Sequence, residues 1–437
     1  MSNQGYNRRS VISWCFYDFG NSAFTTLVVT FIYASYFTLA IAPDEIMGTV
    51  LWSRAVTVTA LTVALLSPLL GAIADRGGYR KLFLAIATII CLLGSTMLYQ
   101  PLPGEIMKAL VWFVIANIAF EMGCVFYNAF LPDIAPTDRI GRISGYGWAL
   151  GYAGGLIAMF IAMIGLVNPE VPWFGLSKEA GQNIRATNLL VAGWYAIFSI
   201  PIFLWIKEDK SRIAFSTTPL VKAAWHQLAE TFRHIRQYRQ VLRFLVARMI
   251  YNDGLVTIFA LGAIYAGGTF GFSMEEIMIF GVALNLAAGV GAFLMGFMDD
   301  ALGGKRTIQI SLIGLILATT VAALTTSRLV FWIAGVGIGL LVGPNQSASR
   351  SLMGRFTPPD KENEFFGFFA FSGKATAFIG PFMFGMMTQL FSSQRAGVWI
   401  VAVLFIIGAL LLFTVNEREG LLAVEEAQQK NDIDIRS

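Results

Sequence analysis

Apolar residues come in runs long enough to cross a bilayer as helices, roughly 17–25 residues each, divided by short polar breaks. Six runs read as 11–41, 52–74, 81–100, 109–131, 143–166 and 188–206. After a longer polar interval come 242–268, 276–298, 307–325, 329–349, 363–390 and 396–415. The pattern predicts an all-α polytopic membrane protein with twelve transmembrane helices. Its expected parts are a six-helix bundle over 1–206, a cytoplasmic linker over 207–241, a second bundle over 242–415 and a cytoplasmic tail over 416–437. The first run is interrupted by Asp18, Asn21, Ser22 and Thr25. At 3.6 residues per turn Asp18, Ser22 and Thr25 share one face, with Asn21 beside it. A carboxylate near the centre of a spanning helix costs roughly 2.5–3.5 kcal/mol. The stripe is therefore expected to face protein or water.

Composition agrees with the pattern. Hydrophobic residues make up 56% of the 437 and charged residues 13%, about half the charged share of a typical soluble domain. Of the 31 Lys and Arg, 23 fall on the side of the termini and even-numbered loops, 6 on the other, and Arg248 and Lys374 inside helices. By the positive-inside rule both termini are cytoplasmic. Arg8-Arg9 before the first run and Ala40-Ile-Ala42 after it imitate a cleaved signal. The run is too long for that, holds Asp18 and is followed by Pro43, so it reads as a retained helix. Cys15, Cys91 and Cys124 lie in apolar runs without motif spacing, and His226 and His234 share the polar interval. No disulfide framework, metal site or cofactor is expected.

In that interval Thr218-Pro219 is a helix start, and Val221, Trp225, Leu228, Phe232 and Ile235 form an apolar stripe. Lys222, Arg233, Arg236 and Arg239 lie off it, as in a basic amphipathic helix on a membrane surface. Two internal repeats stand out. Gly71, Asp75, Gly78, Arg80 and Lys81 recur 225 positions later as Gly296, Asp300, Gly303, Lys305 and Arg306. Tyr17-Asp-Phe-Gly20 is echoed 234 positions later by Tyr251-Asn-Asp-Gly254. Two six-helix halves in one orientation are the mark of a parallel-repeat transporter.

The doubled Gly-x-x-x-Asp-x-x-Gly-x-basic-basic loop resembles the loop motif of the major facilitator superfamily. Tyr17-Asp18 with Asn21-Ser22-Ala23, Leu131-Pro-Asp133, Tyr251-Asn-Asp-Gly254, Gly343-Pro-Asn-Gln-Ser-Ala-Ser-Arg-Ser351, Phe365-Phe-Gly367, Ser372-Gly-Lys374 and Gly380-Pro381 resemble the vacuole-effluxer-like family. In bacteria this is the "unknown major facilitator" family. The resemblance implies the superfamily fold, with the first, fourth, seventh and tenth helices lining a central cavity. It also implies amino acids as the first substrate class to test. Gly147 to Gly155 is similar to the glycine-rich element of superfamily antiporters but lacks its proline, so antiport gains no support there.

Asp18, Glu121, Arg248, Asp253 and Lys374 fall inside helices. Such groups face the interior, pair with one another and mark substrate or ion paths. On the fourth run Asn117, Glu121, Cys124 and Asn128 are spaced 4, 3 and 4, one polar stripe on an apolar helix. The expected substrate and proton cavity is Asp18, Asn21, Ser22, Asn117, Glu121, Asn128, Arg248, Asn252, Asp253 and Lys374. A cation there would take a substrate carboxylate and an acid its ammonium. Asp75 and Asp300 are expected to accept bonds from helix N-termini or to pair with Arg142, Arg350 or Arg355, closing the cytoplasmic side. Glycines 147, 151 and 155, and 335, 339 and 343, predict close helix packing. Pro344 is expected to bend the tenth helix.

These features favour a secondary active transporter that moves a small solute, an amino acid or similar zwitterion first, by alternating access. Protons are the candidate coupling ion, and the expected place is a bacterial inner membrane. The chain is expected to act as a monomer in lipid, with no nucleic-acid partner. The alternatives are an exporter of amphipathic drugs or lipids and, further off, a non-transporting membrane sensor. No enzyme signature appears: neither phosphate loop, zinc-protease motif nor defensible nucleophile–base pair is present.

Overall fold

The computed structural model describes residues 7–208, 238–359 and 361–436. The predicted amphipathic stripe Val221 to Ile235 and both histidines lie outside the described residues. Among those described there are helices and no strand. Helix α1 spans Arg8–Ile41, α2 Glu45–Gly77, α3 Arg80–Met97, α4 Ile106–Asn128 and α5 Ile140–Ala162. Then come α6 (Thr187–Trp205), α7 (Arg239–Phe270), α8 (Met274–Leu302), α9 (Gly304–Leu324) and α10 (Arg328–Phe356). The chain closes with α11 (Glu362–Lys374), α12 (Ile379–Leu390), α13 (Gln394–Phe413) and α14 (Glu417–Arg436). Eleven helices among the described residues are long and apolar enough to span a bilayer. The protein is an integral membrane protein with multiple spans.

The predicted eleventh run, 363–390, is corrected to two helices, α11 of 13 and α12 of 12 residues. Pro381 favours a helix start just before it. It has no N–H to bond back to Ala377, and its ring would strike that carbonyl if one helix ran through. As a first-turn residue of a new helix it is well placed. Pro344, expected to bend the tenth helix, lies inside the continuous α10. There Gly339 and Gly343 press on α8: a Cβ would stand 2.6 Å from the Leu284 oxygen at 339 and 2.8 Å from the Ala288 carbonyl carbon at 343.

Helix α1 is also irregular. It widens to π-helical turns at Phe24–Phe31 and Phe37–Ile41. Thr25, inside the first π turn, is exposed.

Contacts divide the chain into two compact units. One comprises Met1–Leu65, Gly78–Tyr127 and Leu150–Ser211; the other comprises Leu66–Gly77, Asn128–Ala149 and Arg212–Ser437. The division cuts α2 and α5 because the end of α2 is bonded to α11 and the start of α5 to α8 and α10.

Within the first unit α1 is held by aromatic residues. Trp14, Tyr127 and Tyr17 stack at centroid spacings of 4.5 and 5.0 Å. The Tyr17 hydroxyl meets those of Tyr195 at 2.6 Å and Thr88 at 2.9 Å.

Candidate transport site and gate

The doubled loop motif resolves into one repeated contact. In α2, Gly71 lets the backbone touch α11: a Cβ there would stand 2.9 Å from the Glu364 nitrogen. One turn on, on the same face, Asp75 accepts the backbone N–H of Glu364 at 2.8 Å and of Asn363 at 3.1 Å, plus Asn363 Nδ2 at 2.7 Å. In α8, a Cβ at Gly296 would meet the Arg142 Cα at 2.9 Å. One turn later Asp300 accepts the Gly141 N–H at 2.8 Å, the Arg142 N–H at 3.3 Å and Arg142 Nε at 2.5 Å. Both aspartates thus occupy the N-terminus of a partner helix, where unpaired amides and the positive end of the dipole favour an anion. Gly78 (φ 59°) and Gly303 (φ 92°) then turn the chain through left-handed backbone into the next helix.

The basic residues of the motif pair up differently from the 225-residue spacing. Helix α3 begins at Arg80 and α9 at Gly304, so the equivalent of Lys81 is Lys305 rather than Arg306. The Lys81 N–H reaches Glu208 Oε1 at 3.1 Å and its Nζ donates to the Ile206 oxygen at 2.9 Å. The Lys305 N–H reaches Glu417 Oε2 at 3.0 Å and its Nζ donates to the Val415 oxygen at 2.5 Å. Sequence reasoning misses Glu208 and Glu417 because each sits without a motif in a charged stretch just past a spanning helix. Glu417→Ala should lower stability by about 1–2 kcal/mol through loss of an anion at the α9 N-terminus; thermal unfolding in detergent would check it.

Behind the Asp300 contact lies a buried pair. Asp299 and Arg355, 2% and 6% exposed, meet at 2.5 Å, with Asp300 3.6 Å from the second Arg355 nitrogen. Ser351 donates to Asp299. Arg350 donates to the Ser144 carbonyl at 2.7 Å, the Ser144 hydroxyl at 3.0 Å and Asn128 Oδ1 at 3.2 Å. Asn128, read in sequence as the end of the Glu121 stripe, is thus bonded at this cluster.

The seventh-helix residues converge on the break between α11 and α12. Arg248 donates to the Phe369 carbonyl and the Ser372 hydroxyl, both at 2.7 Å, with its guanidinium 3.6 Å from the Phe369 ring centroid. Asn252 donates to the Gly373 carbonyl at 3.1 Å. Asp253, 2% exposed, accepts the Gly380 N–H at 3.0 Å. A cation and an amide thus meet the C-terminal carbonyls of α11 while an anion meets the N-terminus of α12. Helix ends shut away from water need partners of this kind. Lys374 ends α11.

In the first unit, Asp18 and Ser22 lie against α5: a Cβ at Gly151 would stand 2.9 Å from Ser22 Oγ and 3.5 Å from Asp18 Cγ. Ser22 donates to the Asp18 carbonyl at 2.8 Å. Asn21 is 2% exposed and its Nδ2 lacks a hydrogen-bond partner among the described residues. On α4, Asn117 is buried and Glu121 half-buried. The flanking residues of the two echoes are architectural. Tyr251 bonds Ser349 at 2.8 Å, Gly20 abuts Phe198 and Gly254 abuts Phe405. Among the described residues no group of three or more His, Cys, Asp or Glu could hold a metal ion.

The family model "Vacuole effluxer Atg22 like" matches residues 45–425. The chain belongs to this family. A relative from Bacillus subtilis, the uncharacterized MFS-type transporter YxiO, is 28% identical over 426 residues, covering 96% of this chain and 97% of its own. Autophagy-related protein 22 of Yarrowia lipolytica is 26% identical over 324 residues, 65% of this chain and 53% of its own length. The chain thus spans about half of that fungal relative. Among solved structures, the proton:xylose symporter XylE aligns with TM-score 0.75 at 12% identity, over 97% of this chain and 99% of its own. The transporter FucP in its outward conformation aligns with TM-score 0.72 at 14% identity, over 94% and 99%. This member of the Atg22-like family has the major facilitator fold and is an MFS-type transporter.

Proposed function

We propose that the protein is a secondary active transporter of a small zwitterionic solute, amino acids first, working by alternating access in a bacterial inner membrane. The observation that carries the reading is the pair of matching latches, Asp75 on the α11 N-terminus and Asp300 on the α5 N-terminus. Each joins segments far apart in sequence through hydrogen bonds that can break and re-form, as a gate requires. On this reading the latched ends face the cytoplasm and both termini lie on that side. Asp18, Asn21, Ser22, Asn117, Glu121 and Lys374 are the candidate solute and proton contacts. The vacuole-effluxer description of the family supports export.

The test is flux in proteoliposomes. Across a panel of amino acids and other zwitterions, an imposed pH gradient should drive accumulation or release of at least one radiolabelled solute. Panel-wide absence of gradient-dependent flux, with protein correctly inserted, would remove the coupled-carrier reading.

A further inference from the structure

The contact between Asp253 and α12 leaves one oxygen unsatisfied. The Asp253 carboxylate is 2% exposed, and its Oδ2 accepts the Gly380 N–H. Its Oδ1 has no hydrogen-bond partner among the described residues. That oxygen points at the same turn: a Cβ at Gly380 would stand 3.3 Å from it. A buried carboxylate oxygen without a donor is costly while the group is charged. A proton on Oδ1 relieves the cost.

The surroundings offer little else to compensate the charge. α12 carries no ionisable side chain, and α13 has none after Arg395. α11 brings Lys374 at its end. On α7 itself Arg248 lies five residues back, committed to Phe369 and Ser372, and the Tyr251 hydroxyl is bonded to Ser349. The ionisable groups of α8 (Glu275, Glu276, Asp299, Asp300) and of α10 (Arg328, Arg350, Arg355) sit at the helix ends. The ionisable side chains of α14 all follow Val415, beyond the end of α13.

We propose that Asp253 is the proton-binding group of a hinge at Ala375–Phe378, in the broken eleventh segment. A proton from the aqueous phase bonds to Oδ1, and the carboxylate becomes a neutral acid. The Gly380 N–H···Oδ2 bond then loses its charge assistance, and the positive end of α12 loses its counter-charge. α12 loosens from α7, while Arg248 and Asn252 keep α11 in place. The inference rests on the carrier reading for its consequence in transport, but its test needs neither solute nor gradient.

Amide hydrogen exchange of the full chain in lipid nanodiscs, followed over peptides covering 375–390 and corrected for the chemical rate, reads the hinge directly. Across a pH series spanning neutrality, exchange in the first turn of α12 should be roughly tenfold faster on the acid side. Asp253→Asn should be fast throughout, while Asp18→Asn and Glu121→Gln keep the wild-type pH response. A pH-independent wild type, or a response retained in Asp253→Asn, overturns the proposal. Should Asp253→Asn not fold, Asp253→Glu replaces it: its midpoint must move, and an unmoved midpoint overturns the proposal equally. Failure of flux in liposomes with an intact hinge response would count against the carrier reading alone.

Discussion

Arg355→Met should destabilise the folded protein by about 3–5 kcal/mol, the range seen when one member of a buried ion pair is removed. Arg355 is 6% exposed and meets Asp299, 2% exposed, at 2.5 Å, with Asp300 3.6 Å away. Without the guanidinium Asp299 is left uncompensated in a poorly solvated place beside Asp300, which keeps Arg142, and Ser351 remains as its neutral donor. A methionine fills the space but supplies no charge, so the loss is electrostatic rather than a cavity effect. Asp299→Asn on the Arg355→Met background should recover much of the loss, because the uncompensated charge is then gone. Thermal unfolding in detergent, compared across the four proteins of the cycle, gives the coupling. Equal and additive losses would show that the pair does not act as a unit.

The segments are legible in the sequence because a bilayer imposes length and apolarity on whatever crosses it, and the doubled motif because its glycine and aspartate are one helical turn apart. Gly71 and Gly296 permit contact, and Asp75 and Asp300 use it. Bonds to backbone far along the chain cannot be read locally. Arg248, Asn252 and Asp253 stand out in the sequence as intramembrane polar residues, yet their partners are carbonyls and an amide more than 120 positions away. The break itself is obscured because 363–390 has the length of a single span, although Ser372-Gly-Lys374 and Gly380-Pro381 are usable signals. The π turns of α1 leave no mark in a pattern read at 3.6 residues per turn. Glu208 and Glu417 carry no motif, and only the matched lysine brackets reveal their equivalence.

The same geometry sets what opening the gate should require. Asp75→Asn and Asp300→Asn keep the shape of each latch but remove its charge, and an anion at a partly buried helix N-terminus is worth about 1–2 kcal/mol. Losing both should therefore favour the open state by roughly thirty- to several-hundredfold. Ser347 is a sensitive reporter: it is 2% exposed, and its carbonyl accepts the Ser144 hydroxyl at 2.8 Å, tying α10 to the start of α5. With Cys124→Ser removing the half-buried native thiol, Ser347→Cys should react slowly with a membrane-impermeant maleimide while both latches are intact. The single aspartate variants should label at intermediate rates and the double variant fastest, since each latch holds a different helix N-terminus. Labelling that stays slow in the double variant would mean the aspartates merely brace the loops. A single variant as fast as the double would mean that one latch holds the gate by itself, and the twofold repeat of the motif would then be inheritance rather than mechanism.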